Sequence, residues 1–71
     1  MFMVIELQTT NGVTSAITTA YDNENEAYQK FYQILSFAAV STVDIHSACV
    51  MNEYCGILRS ETFDHRTTEE S

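Results

Sequence analysis

Cations are scarce in this chain. Lys30, Arg59 and Arg66 stand against ten carboxylates, a formal charge of −7 over 71 residues. Such a surface repels phosphate, which argues against sequence-independent nucleic-acid binding and against acidic membranes. Cysteine is scarce too: Cys49 and Cys55 are too few for a disulfide scaffold. With His46 and His65 the only histidines, no zinc-ligand set is available. The two glycines, Gly12 and Gly56, each sit in a turn context, so a glycine-rich phosphate loop is excluded. No apolar run approaches the ~20 residues that cross a bilayer. The opening residues Met1-Phe2-Met3-Val4-Ile5-Glu6 lack the basic stretch of a signal peptide, and a carboxylate interrupts their apolar run. These absences lead us to expect a soluble, cytoplasmic protein with reduced thiols. We expect no cofactor, no metal, no nucleic-acid partner and no membrane partner.

Recognisable catalytic chemistry is missing as well. Asp44 and His46 lie two residues apart, on one face of a strand pattern. Such a pair can bind a ligand or relay a proton, but the commoner arrangement is a solvent-facing pair on an edge or half-covered face. Cys49 and Cys55 bracket a turn, yet no basic neighbour predicts a lowered thiol pKa. A small buried thiol at Cys49 and an exposed one in the loop are the simpler expectation. Glu24, Glu26, Glu69 and Glu70 are paired acids in a chain too small to offer an obvious cleft between two carboxylates. The serines and threonines sit in no elbow or triad context. We therefore assign no catalytic residue.

The patterning that is present gives a fold. Residues 2–10 alternate, with Met3, Ile5 and Leu7 on one side and Phe2, Val4, Glu6 and Gln8 on the other. Asn11-Gly12 is a strong type I′ hairpin signal, and 13–21 is the Thr-rich returning strand. A two-residue loop sets Thr10 opposite Val13, Leu7 opposite Ala16, Ile5 opposite Thr18 and Met3 opposite Ala20. The other face then pairs Glu6 with Ile17, Val4 with Thr19 and Phe2 with Tyr21. We take the Met3/Ile5/Leu7 face as the core face, because Ala16 and Ala20 opposite it leave room for a helix. Asp22 or Asn23 caps a helix over 23–41, with Asn23-x-x-Glu26 resembling a capping box and three acids at the positive end of the dipole. Segment 43–51 alternates again, Asn52-Glu53-Tyr54-Cys55-Gly56 is a hairpin loop, and 57–63 returns. The expected fold is α+β: ββαββ, a four-stranded antiparallel sheet in order 2-1-3-4 with one helix packed on one face. We expect a single domain over 1–63 and a flexible acidic tail over 64–71.

The helix is apolar over a wide arc. At 100° per residue Ala27, Phe31, Ile34, Leu35 and Ala38 form one stripe; Tyr28, Tyr32 and Ala39 widen it, and Phe37 lies outside it. A domain this small buries only about 60% of its unfolded surface. Without disulfides or metal, oligomerisation is the remaining source of buried area. The expected interface residues are Tyr28, Tyr32 and Phe37 on the helix, and Phe2, Val4 and Tyr21 on the face left bare.

Three runs carry a resemblance: Asn11-Gly12-Val13-Thr14-Ser15, Leu35-Ser36-Phe37-Ala38-Ala39-Val40-Ser41, and Met51-Asn52-Glu53-Tyr54-Cys55-Gly56-Ile57-Leu58-Arg59-Ser60-Glu61. Across 3–63 the chain resembles small uncharacterised proteins of prophages and mobile elements in Gram-positive bacteria. The resemblance implies a phage-type accessory protein and carries over no functional residue. The expected function is a non-enzymatic, homo-oligomeric protein-interaction module whose partner is itself. The alternative is an inhibitor of a host defence system. One form is an acidic nucleic-acid mimic that meets a basic protein partner. The other is a sponge for a small signalling nucleotide, holding it between protomers with Lys30 or Arg59.

Overall fold

The structure is a computed structural model and describes residues 1–66. Its elements run β1 (Phe2–Thr10), β2 (Val13–Tyr21), α1 (Glu24–Ala38), β3 (Ile45–Asn52) and β4 (Ile57–Asp64). All three pairings are antiparallel, in the order β2-β1-β3-β4, which is the expected α+β arrangement. The β1–β2 register matches the expected one from Phe2↔Tyr21 to Thr10↔Val13. Its cause is visible in the turn, where Asn11 and Gly12 hold φ at +54° and +79°, as a type I′ turn requires.

Asn23 caps α1. Its Oδ1 accepts from the N–H of Asn25 at 2.7 Å and of Glu26 at 3.4 Å, satisfying two of the orphan donors of the first turn. The helix ends at Ala38, three residues before the expected limit, as β-branched and hydroxyl residues take over at Val40-Ser41-Thr42. His65, beyond β4, reaches back to that end and donates Nε2–H to the Ala38 carbonyl at 2.7 Å. Its own N–H bonds the Asp44 carbonyl at 2.7 Å. Asp64 closes β4, and its carboxylate accepts from the Arg66 guanidinium. Structure therefore continues past the expected boundary at 63. Residues 67–71, the rest of the expected tail, lie outside the described residues.

The core face is the opposite of the one expected. Ala27, Phe31 and Ile34 of α1 pack on Val4, Ala48 and Val50, with Phe2, Tyr21, Tyr28 and Leu35 around them. The Met3/Ile5/Leu7 side of the sheet faces away from the helix. The room beside Ala16 and Ala20 is left unfilled, and the helix takes the side that carries Glu6. In three dimensions His46 and Gln8 both hydrogen-bond the Glu6 carboxylate, so that side can be buried.

Candidate interaction surface

The strand registers identify the residues of the open face. Met3, Ile5, Leu7 and Thr9 come from β1, and Thr14, Ala16, Thr18 and Ala20 from β2. β3 adds Ile45, Ser47, Cys49 and Met51. β4 adds Ile57, Ser60 and Thr62, because a bulge leaves Leu58 unpaired between Ile57 and Arg59 and shifts the alternation. The centre of this face is apolar, its flanks are hydroxyl and alanine, and no charged side chain lies among its β1, β2 and β3 positions. On β4, Asp64 takes the position opposite Ile45 at one corner, where Arg66 holds it. That guanidinium, through its hydrogen bonds, lowers the Asp64 carboxyl from 3.8 to about 2. A groove of about 210 Å³ runs across the middle of the face between Ile5, Leu7, Cys49 and Ser60, with Glu61 at its β4 side.

This placement revises the expected interface. Val4 is fully buried beneath the helix, and Phe2 and Tyr21 pack around the same core. These three are core residues because the helix took their side of the sheet. Tyr28 is half-buried, with the Arg59 guanidinium 5.8 Å from its ring centre. Tyr32 and Phe37 are exposed on the helix, Phe37 at 65%. The surface that sequence reasoning missed is the Met3/Ile5/Leu7 face itself. The signal for it was already present, since of the two faces of β1 it is the one free of carboxylates.

His46 is also placed differently. It is 4% exposed, turned under the helix rather than facing solvent beside Asp44. Its Nε2–H donates to the Glu6 carboxylate at 2.6 Å, and its Nδ1 lies 3.4 Å from the Ser41 hydroxyl. A hydroxyl, an imidazole and a carboxylate in this order can in principle relay a proton. Here the ring is closed off from any substrate, and the Ser41 oxygen already accepts the Val43 N–H at 3.1 Å. The cluster acts as a satisfied polar core: among the described residues no buried side-chain polar atom lacks a partner. Asp44 instead takes the Asn11 N–H at 3.0 Å and ties the first hairpin to the start of β3.

Cys49 lies on the open face and Cys55 is exposed in the β3–β4 turn, both as free thiols. Among the described residues no group of three His, Cys, Asp or Glu side chains is placed to hold a metal, and no helix is long and apolar enough to cross a membrane. Among the described residues the carboxylates do not gather on one face. Asp22, Glu24 and Glu26 surround the helix start, Glu6 points into the core, and Glu53, Glu61 and Asp64 lie on the second hairpin. Lys30 and Arg59 line separate grooves on the helix side. Comparison of the chain with protein-family models, curated proteins and solved structures finds no match.

Proposed function

We propose that the chain is a non-enzymatic interaction module that associates with copies of itself through the open face of the sheet. The observation that supports this is the uncharged stretch that face presents across β1, β2 and β3 in a molecule of net charge −7, with carboxylates only at its β4 margin. Bringing two such molecules together costs electrostatic work wherever carboxylates meet. The Met3/Ile5/Leu7/Cys49 face is where that cost is lowest and where apolar area is gained. The area is adequate. Four strands at about 4.8 Å spacing and eight residues at about 3.3 Å cover roughly 500 Å² a side. Two sides give about 1,000 Å², the least that a biological interface needs and the size of a weak, reversible one. Two sheets meeting in this way form the aligned or orthogonal sandwich common among antiparallel sheets.

Leu7→Glu tests the reading. Leu7 is 37% exposed, so the isolated domain tolerates the change, but in the assembly it sets a carboxylate into the contact. Sedimentation equilibrium at micromolar concentration is expected to show an oligomer for the parent chain. The variant should be folded by circular dichroism and of lower sedimented mass than the parent at the same concentration. A parent chain that sediments as a monomer, or a variant with the parent's mass, contradicts the proposal.

A further inference from the structure

The two edges of the sheet are built differently. β4 carries the devices that keep an edge from pairing: a bulge at Leu58 and charged Arg59, Glu61 and Asp64. β2 carries none of them. Its nine residues, Val-Thr-Ser-Ala-Ile-Thr-Thr-Ala-Tyr, contain no charge, no proline and no glycine, and its register with β1 is unbroken. On its helix side Ile17 is 53% exposed and Val13 69%, because α1 lies mainly over β1 and β3 and reaches β2 only near its Tyr21 end. A long, regular, uncharged edge with an isoleucine bare at its midpoint is a surface made for another strand.

We infer that the β2 edge pairs antiparallel with the β2 edge of a second copy, joining two sheets into one of eight strands. This rests on the proposed function only in taking the partner to be the same chain. The register follows from the hairpin. In a two-residue type I′ hairpin, Thr10 and Val13 exchange backbone hydrogen bonds, so Val13, Ser15, Ile17, Thr19 and Tyr21 spend theirs on β1. The outward N–H and C=O groups then belong to Thr14, Ala16, Thr18 and Ala20. A two-fold axis at Ile17 sets Ala16 of one copy against Thr18 of the other, and Thr14 against Ala20. Roughly eight hydrogen bonds form. Ile17 meets Ile17 in the closely spaced, non-hydrogen-bonded position where side chains touch best. Val13 of one copy comes opposite Tyr21 of the other.

Charge selects a second copy in this orientation. The acidic end of β2, Asp22 with Glu24 and Glu26 just beyond it, is carried to opposite ends of the joined strands. Nine residues separate those ends by about 30 Å, several times the roughly 8 Å screening length at physiological salt. Parallel pairing would set the same carboxylates side by side. The two-fold axis stands perpendicular to the sheet, so both helices stay on one side and both open faces on the other. Two such double sheets can close face to face into four chains.

The full chain is examined by sedimentation equilibrium beside Ile17→Lys, which sets two ammonium groups against each other at the axis, and Leu7→Glu. The parent chain is expected to reach four chains. Ile17→Lys should stop at two, with edge dissociation weakened at least about tenfold. Leu7→Glu should also stop at two, now joined by the edge. Residue-resolved amide exchange supplies the second readout. Thr14, Ala16, Thr18 and Ala20 should gain protection as concentration rises, and should lose that gain in Ile17→Lys. An Ile17→Lys protein with the parent's mass, or fast exchange at those four amides in the oligomer, overturns the edge pairing. Neither result touches the face contact, which Leu7→Glu decides. A parent chain that stays monomeric overturns both.

Discussion

Gly12 sits at φ +79° with nothing within 4 Å of where a Cβ would be, so its constraint is torsional alone. Gly56 has the reverse problem: its backbone is ordinary, but a Cβ would come 3.2 Å from both the Nδ2 and Oδ1 of Asn52. That Oδ1 accepts the Tyr54 and Gly56 N–H groups, each at 2.9 Å, and shapes the second turn. Gly12→Val should cost about 1–3 kcal/mol, since a β-branched residue is strained at positive φ. Gly56→Ala should cost about 1 kcal/mol through the displaced Asn52 bonds. Urea midpoints check the order, and equal losses would contradict it. The strained non-glycine residue of the second turn is Cys55, at φ +65°. Asp64 carries the pH dependence that can be placed. Arg66 lowers its carboxyl from 3.8 to about 2 in the folded state, so the folded chain holds that proton more weakly than the unfolded chain. The resulting stabilisation is complete above about pH 4 and is lost as pH falls toward 2. Asp64→Asn should flatten this part of the acid limb in a denaturation series. A parent and variant that lose stability in parallel between pH 4 and 2 would show the pairing to be without consequence.

At the level of elements, the first hairpin was legible in full. Asn11-Gly12 admits a two-residue turn, and that turn fixes which side each residue of β1 and β2 takes. The helix start was legible too, because Asn23 has a capping side chain placed before an apolar periodicity. Less was readable where distant residues decide. The choice of core face depended on Glu6 meeting His46, residues forty apart that become neighbours only through the β1–β3 pairing. At the helix C-terminus the Ala38 carbonyl is met by His65, contributed from beyond the last strand. Both misreadings arose where a polar residue found its partner across the fold, which hydropathy periodicity does not encode. The wide apolar arc of α1 is resolved by depth: Ala27, Phe31, Ile34 and Ala38 are buried, and Phe37 stands 65% exposed. Because Phe37 lies on the helix, away from the open side of the sheet, Phe37→Ser should move the thermal midpoint by no more than about 0.5 kcal/mol equivalent. It should leave the sedimented mass unchanged. A loss of mass in this variant would bring the helix into the contact, as expected from its aromatic content.

At the scale of the whole molecule, the helix covers one side of the sheet and, among the described residues, nothing covers the other. Under the proposed reading a second copy supplies that layer at low electrostatic cost, since most carboxylates among the described residues lie around the helix start, in the core and on the second hairpin. The two thiols report on the idea directly. Cys49 stands on the open face and Cys55 in the exposed turn, so one is covered by the proposed contact and the other serves as an internal reference. The decisive measurement is the alkylation rate of each thiol as protein concentration is raised across the association range. Cys49 should slow in step with the oligomeric fraction while Cys55 keeps its rate. A Cys49 rate that stays constant while the sedimented mass rises would contradict the account, because the contact would then lie elsewhere on the molecule.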